Sequence, residues 1–200
     1  MEPVNVGDIT PVLSDEQLVI GARAVSSRAC QLADITSWRV DDSPGNGAAL
    51  NNARLESALV NARALSYFLS SKPPSDDDLH ISHYSKSAWK KGASKISRVA
   101  GRIIEASTIY LGNPMTTEHR GEVQSGHWPL PEIAVVLTRG LADFVDALAA
   151  KDFGKAAWFC PSPRQTYESL MASDPLGTPT ENNEKSTAAD LLKILQKQLA

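Results

Sequence analysis

Basic side chains recur at helical spacing in the middle of the chain. Lys91, Lys95, Arg98 and Arg102 are separated by four, three and four residues, a spacing that places them on one face of a helix. Residues 79–104 contain no Asp or Glu, so we expect no carboxylate three or four residues away on this face to offset the charges. We call these four residues the basic stripe. It could bind the phosphate backbone of RNA or an acidic protein surface, although an ordinary solvated helix face has the same pattern.

Two acidic segments contain side chains that could bind a metal ion. One is the run of three Asp residues at positions 76–78, and the other is formed by Glu118, His119 and Glu122 in a predicted long loop. Neither has the pair of His ligands at i, i+4 on a helix that marks a strong zinc site. An acidic run before a helix is also explained by its favourable interaction with the positive end of the helix dipole. Since no glycine-rich phosphate loop is present either, the sequence predicts no metal and no small-molecule cofactor.

The overall charge gives the chain no general attraction to nucleic acid. Its 200 residues carry 20 Lys and Arg against 23 Asp and Glu, a net charge of −3, so any RNA binding must come from a local patch. Residues 1–8 lack the basic and apolar regions of a signal peptide, and no apolar run approaches the roughly 20 residues of a membrane span. We therefore expect a cytoplasmic protein without membrane contact, in which Cys30 and Cys160 are free thiols.

Four segments have apolar residues at helical spacing. The first begins at a capping box formed by Ser14 and Gln17 and ends near residue 36, and the next two cover about residues 48–70 and 85–111. The fourth opens at Pro129, since the first turn of a helix accepts proline. The sequence thus predicts an all-α fold: a four-helix bundle over residues 1–172, a polar linker over residues 173–185 and a C-terminal amphipathic helix over residues 186–200.

Large apolar residues on the inner faces of these helices should form the centre of the core. We expect the following to be buried: Leu59, Leu65, Trp89, Ile96, Ile103, Leu137, Leu141 and Phe144. We also expect Trp158 and Phe159 to fold back over the end of the bundle.

An ordered set of residues over positions 55–84 resembles a known pattern. The set is Glu56, Leu59, Arg63, Leu65, Phe68, Asp77, Asp78 and Tyr84. In this order it resembles an uncharacterised family of bacterial helical proteins that looks like the HEPN type. The resemblance implies a HEPN-like four-helix bundle, in a class that includes RNA-cleaving toxins and non-catalytic relatives. Because Glu56 and Arg63 share one helix face, we favour a buried ion pair or polar network between them over a binding site.

One position departs from the family pattern and one loop fits it. Where the family has His, this chain has Asn61, whose amide cannot exchange a proton near neutral pH as an imidazole can. HEPN ribonucleases carry an Arg followed a few residues later by a His, and Arg120 and His127 fit that order with six residues between them. The resemblance implies phosphate binding for the Arg and proton transfer for the His.

These observations favour a non-enzymatic helical interaction protein that binds a protein or RNA partner and self-associates. The alternative is a metal-independent ribonuclease of HEPN type that uses Arg120 and His127. A purely structural subunit is a third possibility. Convergence of Arg120 and His127 in the fold would favour the enzyme, and divergence into solvent would exclude it.

Overall fold

Helices account for the secondary structure of the part of the chain that the structure describes. The computed structural model describes residues 13–37, 47–70, 79–85, 96, 99–105, 107 and 128–175. Its helices are α1 (Asp15–Ser37), α2 (Gly47–Leu69), a short 3-10 helix (Ile81–His83), α4 (Leu130–Ala149), α5 (Phe153–Ala156) and α6 (Pro163–Ala172). Residues 96, 99–105 and 107 are also helical and are called α3. No strand occurs within these ranges, so the all-α prediction is confirmed for them.

Helix α1 has polar contacts at both ends. At its start, the Ser14 N–H donates to Oε1 of Gln17 at 2.8 Å, and the Gln17 N–H donates to Oγ of Ser14 at 3.2 Å. This confirms the predicted capping box. At its end, Arg54 of α2 donates to the carbonyls of Ile35 and Thr36 at 2.8 and 3.0 Å. Arg54 therefore satisfies two carbonyl groups that the helix itself leaves without partners, and it fixes α2 against α1.

The predicted core is confirmed at six of its eight positions. Leu59, Leu65, Ile103, Leu137, Leu141 and Phe144 are buried. Ile96 is only half-buried, although it packs closely on α4: a Cβ atom on Gly140 would come within 2.6 Å of Cδ1 of Ile96. Trp89 lies outside the described residues.

Helix α6 is absent from the sequence prediction, although it packs against both α1 and α4. Ser162 caps its first turn by accepting the Gln165 N–H, and its inner face consists of Pro163, Thr166 and Leu170. Only one of these three is a large aliphatic residue, so the apolar period is weak. On its outer face, Arg164 donates to Asp143 and Asp146 of α4.

Four aromatic rings close one end of the core. Phe68 of α2 contacts Tyr84 at 5.9 Å and Phe144 of α4 at 6.2 Å between ring centroids, and Phe159 lies 5.0 Å from Tyr84. Phe159 is buried and Trp158 is half-buried, in agreement with the expected return of this segment over the helices.

The described part of the chain ends shortly after α6. The predicted linker over residues 173–185 lies outside it apart from residues 173–175, and the predicted C-terminal helix over residues 186–200 lies wholly outside.

Candidate functional site

The described part of α3 has one buried and one exposed face. Val99, Ala100, Ile103 and Ser107 are buried, whereas Gly101 and Arg102 are exposed. Arg102 is the described member of the basic stripe, and its side chain is 59% exposed. The other three members, Lys91, Lys95 and Arg98, lie outside the described residues.

Arg102 forms an ion pair that the sequence prediction excluded. Its Nη1 donates to Oε2 of Glu105 at 3.0 Å, and both side chains are more than half exposed. The expectation that no carboxylate three or four residues away offsets the stripe is therefore wrong, because Glu105 follows the acid-free segment directly. An exposed i, i+3 pair of this kind is worth only about 0.5 kcal/mol. Arg102 can consequently exchange Glu105 for another anion at little cost.

The residues of the enzyme hypothesis and of the acidic segments lie outside the described residues. This applies to Arg120, His127, the run 76–78, and the segment from Glu118 to Glu122. The ribonuclease that uses Arg120 and His127 therefore stays the alternative hypothesis. In the part of the chain that is described, no three His, Cys, Asp or Glu side chains come together as metal ligands.

Arg63 does not pair with Glu56. Its Nε and Nη2 donate to Oη of Tyr67 at 3.3 and 3.1 Å, and the guanidinium carbon lies 5.4 Å from the centre of the Tyr67 ring. Glu56 is exposed. The expected buried ion pair is wrong, because Tyr67 one turn further along α2 offers the guanidinium both an acceptor and an aromatic ring.

Asn61, at the position where the similar family has His, joins α1 to α2. It is only 2% exposed. Its Oδ1 accepts from Nη1 of Arg28 at 2.9 Å, and its Nδ2 donates to the Ser57 carbonyl at 3.0 Å. Both ends of the amide are therefore bound within the two helices, and the group has a structural role.

A pair of histidines that the sequence prediction did not single out lies beside the C-terminal end of α2. His80 is 3% exposed. Its Nδ1 accepts the Ser82 N–H at 3.2 Å, so Nε2 carries the ring proton and donates it to the Ser70 carbonyl at 2.6 Å. The His80 N–H in turn donates to Nδ1 of His83 at 3.0 Å. Burial lowers the pKa of His80, while the hydrogen bond to Ser70 opposes the shift and His83 adds to it.

A shallow groove of about 280 Å³ separates the second half of α1 from α6. Its lining is mostly small and polar: Cys30, Ala33, Asp34, Ser37, Pro161, Ser162, Gln165, Thr166, Ser169 and Leu170. Sγ of Cys30 lies 3.1 Å from Oγ1 of Thr166. The lining holds one carboxylate, Asp34, and no histidine or cation, so it lacks the paired acid and base of general acid–base catalysis. Both cysteines are free, as predicted.

Comparisons with known proteins give no relative for this chain. Neither the family models, nor the curated proteins, nor the solved structures with which it was compared match it. The similarity to HEPN-type proteins thus rests on the residues in 55–84 alone. Within the described ranges, no helix is long and apolar enough to cross a membrane.

Proposed function

We propose that the protein is a non-enzymatic helical interaction protein whose basic stripe binds RNA or an acidic protein surface. The observation that carries this proposal is the position of Arg102. It is exposed on α3, while Val99 and Ile103 on the same helix are buried against the core. On a continuous helix, residues seven and four positions before Arg102 would share its face. Lys95 and Arg98 are at those positions in the sequence.

The attachment of α3 to the bundle supports a role as a rigid binding surface. Ile96 packs directly on Gly140 of α4, and a side chain at position 140 would leave no room for Ile96. Ile103 is fully buried. A helix held in this way keeps Arg102 at a fixed position on the surface, so binding of an anionic partner there costs little conformational entropy.

The net charge of the chain favours binding of a polyanion at a local patch over a general attraction to the whole surface. The net charge of the chain is −3, so a polyanion is repelled at long range and attracted only at the stripe. The exposed pair of Arg102 with Glu105 offers little competition. Binding should therefore depend steeply on salt, because each phosphate that is neutralised releases counterions.

Binding titrations at several salt concentrations test this proposal. Fluorescent single-stranded RNA and an acidic polypeptide would each be titrated with the full chain and with a variant in which Lys95 and Arg98 are both replaced by Glu. We expect one of the two ligands to bind with steep salt dependence, and the variant to lose at least about tenfold in affinity. Binding of RNA would assign a nucleic-acid partner, and binding of the polypeptide alone would assign an acidic protein.

A matched control separates the stripe from total charge. Replacing Arg23 and Lys151, which are exposed on α1 and after α4, by Glu makes the same change in net charge. This control should bind as the native chain does. Equal loss in both variants, or no salt-sensitive binding of either ligand, would exclude the proposed function.

A further inference from the structure

Residues 79–85 form a strap that lies across one end of α1 and α2. Oη of Tyr84 donates to the Leu18 carbonyl of α1 at 2.7 Å, and Nε2 of His80 donates to the Ser70 carbonyl after α2 at 2.6 Å. Gly21 lets the strap approach α1 closely, since a Cβ there would lie 2.9 Å from both Leu79 Cδ1 and Tyr84 Oη. Two side-chain hydrogen bonds, one to each helix, thus hold the strap in place.

The hydrogen bond from the Ser82 N–H distinguishes the neutral ring of His80 from the protonated one. Nδ1 must carry a lone pair, because it accepts the Ser82 N–H. Nε2 must carry the proton that it shares with the Ser70 carbonyl. A second proton on Nδ1 would turn the acceptor of the Ser82 N–H into a donor and break that bond. Ser82 Oγ, 2.8 Å from Nδ1, would then be the acceptor on that side of the ring. The second proton would also place a positive charge on a ring that is 3% exposed, which costs free energy unless a counter-charge is present.

We propose that the strap is a pH-sensitive latch, in which protonation of His80 releases residues 79–85 from the ends of α1 and α2. Release restores the hydration of the ring and frees the Ser70 carbonyl to bind water. The backbone turn around Ile81–His83 loses its cap in the same step, because Nδ1 of His80 is the side-chain acceptor at that cap.

The charged groups near the latch do not compensate a proton on His80. His83 shares the strap, and its own positive charge disfavours a second one on His80. Tyr84, also in the strap, stays neutral because burial raises its pKa. The elements behind the strap carry Asp15 and Glu16 in the first turn of α1, and Arg63 and Tyr67 near the end of α2. Among the described residues, His83 is the group whose charge acts on the pKa of His80.

The direction of the pH dependence follows from these contacts. Burial lowers the pKa of His80 in the closed strap below its ordinary value of 6.5, whereas in the open strap the ring is solvated and returns to that value. The latch is therefore fully closed above pH 6.5. It weakens progressively as the pH falls from 6.5 through the lowered pKa of the closed form, and below that pKa it weakens no further.

Hydrogen exchange of the strap amides tests the latch in the full chain. The N–H groups of Ser82, His83, Tyr84 and Ser85 are all hydrogen-bonded in the closed strap. Between about pH 7.5 and about pH 5.5, their protection factors should fall several-fold, and at most about tenfold, because two pH units span the titration of the open form. Core amides such as that of Leu141 should keep their protection. Unchanged strap protection, or a parallel loss in the core, would overturn the proposal.

Two variants assign the effect to His80. In His80→Asn, the amide oxygen can still accept the Ser82 N–H at this cap but cannot be protonated, so strap protection should become independent of pH. In His83→Gln, His80 is retained and the pH response should persist. Where His80→Asn does not fold, the ring of His80 in the native chain is titrated by nuclear magnetic resonance. A pKa at or above 6.5 would contradict the latch, and a lower one would support it.

Discussion

Arg28 of α1 donates a hydrogen bond to the buried Oδ1 of Asn61 in α2 at 2.9 Å. Nδ2 of Asn61 also donates a hydrogen bond to the Ser57 carbonyl at 3.0 Å. The side-chain amide therefore has a partner for its oxygen in α1 and a partner for its nitrogen in α2. A neutral amide suits a position that is only 2% exposed, because burying a charged group there would cost free energy.

Replacing Asn61 by Ala should lower the free energy of unfolding by about 1–2 kcal/mol. The variant removes one hydrogen bond between helices and one within α2, and leaves a small cavity at a buried position. Urea denaturation followed by circular dichroism measures the change. Arg23→Ala, at an exposed position on α1, is the control and should stay within about 0.5 kcal/mol of the native chain. Equal effects of the two variants would mean that the Arg28–Asn61 contact contributes nothing.

Replacing Phe144 by Ala should cost roughly 3–5 kcal/mol of unfolding free energy. Its ring is buried and contacts Phe68 and Phe159 at 6.2 and 5.9 Å between centroids, so truncation removes apolar burial and leaves a cavity. Phe153→Ala is the matched control, because Phe153 is 77% exposed and its loss should be near zero. A loss below about 1 kcal/mol at Phe144 would contradict its placement in the core.

Two glycines should respond in opposite ways to replacement by Ala. Gly101 lies on the exposed face of α3, and a Cβ there meets nothing within 4 Å, so Gly101→Ala should stabilise the fold by about 0.5–1 kcal/mol through helix propensity. At Gly21 the added methyl group would collide with Leu79 and with Oη of Tyr84. Gly21→Ala should therefore destabilise the fold despite the same gain in helix propensity. In thermal unfolding, the midpoint should rise for Gly101→Ala and fall for Gly21→Ala.

The described helices show which features a sequence pattern can predict. Helices α1, α2 and α4 have wide apolar faces, and their starts agree with the predicted ones within about one residue, which is within the usual uncertainty of helix ends. Their inner faces, including Leu59, Leu137 and Leu141, are buried as predicted. Helix α6 has an inner face of Pro163, Thr166 and Leu170, which is too short and too polar to give a clear period.

The histidine pair could not be predicted for a different reason. The environment of His80 depends on the Ser70 carbonyl and on the packing of the strap over Gly21. Both are contacts between segments, and local spacing carries no information about them. The pair Arg102–Glu105, in contrast, is predictable from the sequence, because the two residues are three positions apart and Glu105 directly follows the acid-free segment 79–104.

The proposed interaction function predicts that the native chain does not cleave RNA. Asn61 is hydrogen-bonded to Arg28 and to the Ser57 carbonyl, so a catalytic role would have to come from Arg120 and His127. Incubation of labelled RNA with the full chain in the presence of a chelator should leave the RNA intact, and His127→Ala should give the same result.

Cleavage by the native chain that is lost in both Arg120→Ala and His127→Ala, but kept in Arg139→Ala, would instead support the ribonuclease. Arg139 suits this control because it is exposed on α4, so its loss removes the same charge without disturbing the core.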